Sequence, residues 1–502
     1  MPQTASPRAF APGFLFGAAT AAYQIEGAAF EDGRTASIWD AFSRVPGAVI
    51  HGENGDVACD HYHRYPGDVA LMKDLGLDTY RFSVSWSRVR PDGGPLNPKG
   101  LDFYKRLVDE LRANDILPWL TLYHWDLPQA IEEQGGWTVR STAERFVEYA
   151  LDVHDALGDR VANWTTLNEP WCSSFLSYTA GIHAPGRYSV TDGVLAAHHL
   201  LLGHGQTVRE LRARDADLRL GITLNLTVAE PADPAAPADV DAARRIDGQF
   251  NRWFLDPIFR GSYPTDVVED IRGVCPEAIE ALDAAALPGD LDTIATPLDV
   301  LGVNYYHGEF VGGSPDPNPP LPGDAPTDRP ARSPFPSFEG IHWHERGLPR
   351  TSMHWEVDPG GLTTLLRRVW TEYAEPAGTV LYVTENGAAY DDVLVTDAGG
   401  DARVHDAERV AFLRGHLGAI LDAVDAGVDV RGYFYWSLLD NFEWAWGYEK
   451  RFGIVRVDYD TQVRTLKDSA LEYRRVIAAR ALDAGPAAAA GPAADTATPA
   501  GS

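Results

Sequence analysis

Two glutamates stand where carboxylates can do chemistry, provided the residues before them form strands. Glu169 lies in "ANWTTLNEPWC" (162–172), where Trp164, Thr165, Thr166 and Leu167 favour strand and Pro170 lacks the amide that a central ladder needs. Glu385 ends a second such run, "TVLYVTENG" (379–387). Alone, either reads as a solvated strand end. At two strand tips of one sheet they can face each other as an acid and nucleophile pair. The residues at comparable places point the same way. Gln24, Glu26, Arg81, His124, Trp125, Asn168, Asn304, Tyr305, Asn386 and Trp436 are mostly amides, indoles and charged groups. Indole faces stack on the C–H surface of pyranose rings, while amides, imidazoles and carboxylates bond sugar hydroxyls. Each also has a plainer reading: Arg81 as the partner of a buried acid, Tyr305 as core, the 14 tryptophans as packing.

The elements that must position these side chains recur along the chain. Strand-like runs occupy 14–20, 79–86, 117–123, 162–167, 218–226, 299–306, 379–386 and 430–437. They are nearly continuous apolar runs, as in a parallel sheet covered on both faces. Between them lie helical patterns such as 101–115 and 406–427, with apolar positions three and four apart. Eight alternations predict an α/β fold, a single (β/α)8 TIM barrel with long loops on its C-terminal face. The catalytic domain is expected over 1–482. The segment 311–352, rich in Pro, Gly and Asp, reads as a long loop on the active face, and 483–502 as a disordered Ala/Pro/Gly-rich tail.

Composition narrows the function further. At 502 residues with 45% hydrophobic content the chain can bury a large core, and a formal charge of −29 without a basic run argues against nucleic acid. Nothing approaches the roughly 18 consecutive apolar residues of a membrane helix. Three widely spaced cysteines suit a reducing compartment. Arg8 followed by "AFAPGFLFGAATAA" imitates a signal peptide, but Pro12 and Gly13 interrupt it and the stretch makes a better first strand, so a cytoplasmic location is expected. "CDHYHRY" (59–65) holds metal-ligand residue types at a spacing that fits no standard zinc site, and no phosphate-binding glycine motif is present, so neither metal nor nucleotide cofactor is expected.

The ordered motifs "YQIEG", "YRFSVSWSR", "YHWDLPQ", "TLNEP", "NYY", "VTENG" and "WSLLDNFEWAWGYEKRFG" resemble those of glycoside hydrolase family 1 β-glucosidases, over about residues 10–480. The resemblance implies a retaining enzyme acting on nonreducing β-glucosyl ends of β-glucosides and short cello-oligosaccharides, with Glu169 as acid/base and Glu385 as nucleophile. It implies that Gln24, His124, Trp125, Asn168, Tyr305, Trp436, Glu443, Trp444 and Phe452 bind sugar, with Trp355 on the leaving-group side. Arg81, Asn304 and Tyr305 would support the nucleophile. Two departures stand out. Pro66 and Gly67 replace an acidic helix start and should alter a helix terminus. His354 replaces the usual glycine before Trp355 and should narrow or polarise the leaving-group side. A 6-phospho-β-glycosidase and a non-catalytic sugar-binding barrel are the alternatives, and homo-oligomerisation is left open.

Overall fold

The computed structural model describes residues 7–314, 332–396, 399–400 and 402–483. Eight strands, β1 (Leu15–Ala19), β2 (Thr79–Ser83), β3 (Leu117–Tyr123), β4 (Asn163–Asn168), β5 (Arg219–Asn225), β6 (Val300–Asn304), β7 (Val380–Asn386) and β8 (Val430–Trp436), form a closed barrel in sequential order. Every neighbouring pair is parallel, and β8 closes on β1 with Trp436 opposite Ala19. Each expected run coincides with one of these strands, the fourth ending one residue short of Asn168. The second overshoots, because the chain turns into a short helix at Trp86.

The barrel interior is packed, so it forms a floor beneath the site. Trp119 meets Tyr382 and Phe434 edge-on at ring separations of 4.8 and 5.2 Å, and its indole N–H donates to Thr165 Oγ1 at 2.9 Å. Gly302 lets β6 pass through this layer. A Cβ there would lie 2.3 Å from Thr223 Oγ1 and 2.6 Å from Thr384 Oγ1.

Helices surround the barrel because each carries one apolar stripe. In Pro98–Ala113, Leu101, Tyr104, Leu107, Val108 and Leu111 are buried, three and four residues apart, and Pro98 occupies the first turn, where its missing N–H costs nothing. The helix expected over 406–427 runs Ala407–Asp425. Pro66 departs from expectation: helix His61–Leu75 begins five residues earlier, so the proline sits within it and not at its terminus.

The long segments after β5 and β6 contribute a three-stranded sheet in which Glu309–Gly313 lies between Ala229–Pro231 and Ile341–Trp343. The expected loop at 311–352 is thus partly strand, and its residues 315–331 lie outside the described residues, as does the tail beyond Asp483. Among the described residues no helix is long and apolar enough to cross a membrane.

Candidate active site

Both glutamates reach the C-terminal mouth of the barrel by breaks in strand regularity. The β4–β5 register slips between Thr165 and Asn168, and Glu169 follows with φ of 48°. Its N–H still pairs with the Thr223 carbonyl at 2.9 Å, and Pro170 then ends the ladder. In β7 the register slips between Val383 and Glu385, leaving Glu385 opposite Asn304 of β6. Thr384 faces the barrel interior, so strict alternation would turn Glu385 outward; the irregularity turns it into the site. Gly387 follows because a Cβ there would lie 1.7 Å from the Trp436 carbonyl oxygen.

The two carboxyls have different surroundings. Glu385 Oε1 receives Arg81 Nη1 at 2.5 Å and Oε2 receives the Tyr306 hydroxyl at 2.7 Å. Among the described residues no cation contacts Glu169. Its Oε1 accepts from Asn304 Nδ2 at 2.5 Å and its Oε2 from the Cys172 thiol at 3.2 Å. Burial raises the pKa of Glu169, and the charge of Glu385 raises it further, outweighing the hydrogen bonds. Burial also raises Glu385, but the Arg81 charge and the Tyr306 and Arg81 hydrogen bonds pull it back. Glu385 is therefore the group that ionises first, and Glu169 the one that keeps its proton.

A cavity of about 420 Å³ opens above the pair. One end is polar. His124, Trp436, Glu443, Trp444 and Trp125 line it, and the His124 ring stacks on Trp436 and Trp444 at 5.7 and 6.0 Å. Arg81 Nη2 and Asn304 Nδ2 donate to Asn168 Oδ1 at 2.6 and 3.1 Å, which fixes the Asn168 amide. Its Nδ2 then donates to His124 Nε2 at 3.1 Å, so the neutral imidazole carries its proton on Nδ1. Burial and the Arg81 charge keep His124 neutral. Burial, then the charges of Glu385 and Glu169, push Glu443 up to about 8. Trp125, Glu169 and Trp444 all have φ between 48° and 76°, strain of about 1–2 kcal/mol each that packing must hold.

The other end is aromatic and comes from the loops. Trp171, Phe250, Phe335 and Trp343 form one wall. Trp355 forms the other, against Tyr306, His307 and Phe452 at 5.5, 4.9 and 6.1 Å.

Residues 6–482 match Glycosyl hydrolase family 1. The chain belongs to that family. It is 51% identical to the thermostable beta-glucosidase B of Thermobispora bispora, over 93% of this chain and 90% of that protein. It is 46% identical to a bifunctional beta-D-glucosidase/beta-D-fucosidase of Bifidobacterium breve, over 93% and 98%. The crystal structure of a psychrophilic beta-glucosidase from Micrococcus antarcticus superposes with a TM-score of 0.89 at 54% identity, covering 94% of this chain and 98% of that one. As a family 1 glycosyl hydrolase the chain is an enzyme that cleaves glycosidic bonds.

Within this family 1 site several expected residues take other places. The Tyr305 side chain neither touches the Glu385 carboxyl nor lines the cavity: its backbone N–H donates to the Glu385 carbonyl at 3.1 Å, but its hydroxyl donates to the Asp358 carbonyl at 3.0 Å and its ring lies 6.2 Å from His416 of helix Ala407–Asp425. The alternation of side chains past β6 puts Asn304 and Tyr306 on one face and Tyr305 on the other. Tyr306 is the residue that was missed, one place along in "NYY". Gln24 stands behind the cavity wall, donating to Asn441 Oδ1, the Phe442 carbonyl and Glu443 Oε2 at 3.0, 2.8 and 3.4 Å. Asn168 and Arg81 are likewise behind it. Glu26 bonds Arg88 and Tyr104, away from the site.

His354 is exposed and forms no part of the wall, so it does not narrow the leaving-group side; Met353 and Trp355 do line it. Its φ of 64° explains the family's usual glycine. In "CDHYHRY" the Cys59 thiol bonds the Asp440 carbonyl and His61 bonds Asp68. Among the described residues no group of three or more His, Cys, Asp or Glu is placed to hold a metal. The aromatics Trp171, Phe250, Phe335 and Trp343 were not found from sequence, since nothing local marks an aromatic outside the barrel strands as facing a cavity.

Proposed function

We propose that this chain is a retaining β-glucosidase that releases the nonreducing terminal β-D-glucosyl residue of β-glucosides and short cello-oligosaccharides in two steps. Ionised Glu385 attacks the anomeric carbon while Glu169 gives its proton to the departing oxygen, leaving a glycosyl ester on Glu385. Esterification removes the negative charge beside Glu169, so its pKa falls and it takes a proton from the water that attacks the same carbon. Glu385 leaves as carboxylate and Glu169 is again protonated.

The observation that carries this reading is the asymmetry of the carboxyls: Arg81 and Tyr306 on Glu385 and, among the described residues, no cation on Glu169. His124, Glu443, Trp436 and Trp444 bind the glucosyl ring, with Trp125 and Phe452 packed around it, and Gln24 and Asn168 orient Glu443 and His124. The names of relatives support the substrate class: one is a beta-D-glucosidase/beta-D-fucosidase, and one from Thermotoga neapolitana a 1,4-beta-D-glucan glucohydrolase. Side activity on β-fucosides and β-galactosides, a single catalytic domain ending near residue 482 and a cytoplasmic location complete the proposal.

The family resemblance puts Glu443 beside the sugar's 6-hydroxyl, where its ionised carboxyl would repel a phosphate, and this argues against the 6-phospho-glycosidase alternative. Proton NMR of the first product tests the reading. A β-glucoside should yield β-glucose first, and α-glucose first would contradict it.

A further inference from the structure

One half-buried carboxylate in the cavity has no part in the steps above. Glu309 lines the cavity at the start of strand Glu309–Gly313, with its side chain 12% exposed. Its Oε2 accepts the Trp343 indole N–H at 2.8 Å, while its Oε1 lies 3.6 Å from His307 Nδ1, beyond hydrogen-bond length.

Ring contacts fix where this group sits. One arm leaves Glu169 through neighbouring Trp171, then Phe335 at 5.6 Å and Trp343 at 6.0 Å. The other leaves Glu385 through Tyr306, then Trp355 at 5.5 Å and His307 at 4.9 Å. Trp343 and His307 both flank Glu309, so the arms close on it. Glu309 is thus the carboxylate at the far end of the aromatic ring whose near end holds the reacting pair. Among the described residues no lysine or arginine lines this cavity.

From this geometry we infer that Glu309 determines leaving-group specificity: it accepts hydroxyl hydrogens from the far edge of a departing sugar, whose ring faces stack between the two arms. A leaving group without donors gains only the stacking. The inference rests on the glycosidase reading, because it takes this half of the cavity to hold the leaving group. Burial supports it by pushing Glu309 up to about 7, against the Trp343 hydrogen bond and the Arg346 charge, so a donor from a bound sugar satisfies a carboxyl that the protein leaves under-bonded.

The test compares kcat/KM for cellobiose and for 4-nitrophenyl β-glucoside in the wild type, Glu309→Leu and Glu309→Gln. Both values report the first chemical step. In Glu309→Leu the cellobiose value should fall about 10- to 100-fold, as loss of a hydrogen bond to a charged group predicts, with the nitrophenyl value within about threefold of wild type. Glu309→Gln, which keeps an acceptor, should fall less on cellobiose. The nitrophenyl rate doubles as the check on folding. An unchanged ratio of the two substrates in Glu309→Leu would overturn the inference and leave the glycosidase reading standing. A wild type inactive on both substrates would overturn that reading, and the inference with it.

Discussion

The two ends of the cavity are built by different rules. At the polar end Asn168, Asn304, Glu385 and Trp436 are the last residues of strands or lie within one residue of the last, and β-sheet register fixes them to a common floor. At the aromatic end Trp171, Phe250, Phe335 and Trp343 come from segments inserted between strands and helices, and they are held by one another. The first end has side chains bonded in a chain from Arg81 through Asn168 to His124. The second offers mainly ring faces and, among the described residues, the one carboxylate Glu309. Chemistry that tolerates little displacement belongs on the sheet, and leaving-group selection, which tolerates more, can belong to the loops.

If that division holds, the largest effects fall at the strand tips. Glu385→Ala should lower turnover by more than about 10⁴-fold. Glu169→Ala should lower it by about 10²- to 10⁴-fold for poor leaving groups and far less for a dinitrophenyl glucoside. Azide then separates the roles by configuration: β-glucosyl azide from Glu169→Ala, by attack on the glycosyl-enzyme, and α-glucosyl azide from Glu385→Ala, by direct displacement. The raised pKa of Glu169 sets the alkaline limb of the wild-type profile, because activity is lost as that proton leaves. That limb should vanish in Glu169→Ala; its persistence would assign it to another group.

Glu443 comes next. Against a 6-phosphate, like charges about 4 Å apart at an effective dielectric near 20 repel by roughly 4 kcal/mol, or about a thousandfold. With Glu443 pushed up to about 8, this penalty grows as pH rises through that value. Comparison of 4-nitrophenyl β-glucoside with its 6-phosphate should show the wild type favouring the free sugar and Glu443→Ser narrowing the gap. A gap unmoved by the serine would take the discrimination away from this residue.

The adjacent tyrosines sharpen the comparison at a single strand end. Tyr306→Phe removes a hydrogen bond to charged Glu385 and should cost about 10- to 100-fold in kcat/KM. Tyr305→Phe removes a bond to a backbone carbonyl on the helix side and should leave kcat/KM within about twofold, at about 1 kcal/mol of stability. Equal kinetic losses would mean that both tyrosines act on the nucleophile.

These neighbours also show what was legible. Apolar runs marked all eight strands, because a parallel barrel buries them on both faces, and "LNEP" and "TENG" marked both carboxylates. Facing direction was harder. Period two alone would have chosen Tyr306 over Tyr305, yet the same rule applied to β7 would have turned Glu385 outward, since the register slip beside it is a tertiary feature. Phe335 and Glu309 were beyond reach for another reason. Their place depends on a small sheet assembled from segments more than seventy residues apart, Ala229–Pro231 and Glu309–Gly313.

The smallest effect is expected in the loops. His354→Gly relieves φ of 64° at an exposed site and should stabilise the fold by about 1 kcal/mol, read from a urea midpoint, with kcat/KM unchanged. A kinetic change would mean that this position reaches the cavity after all.

The most direct test of the account is to trap the covalent intermediate. A 2-deoxy-2-fluoro-β-glucoside with a good leaving group forms the glycosyl-enzyme faster than water cleaves it, so the enzyme should accumulate one label per chain. Peptide mass spectrometry should place that label on Glu385. A label on Glu169, or rapid turnover of a known substrate with no label on any carboxylate, would contradict the assignment of the nucleophile.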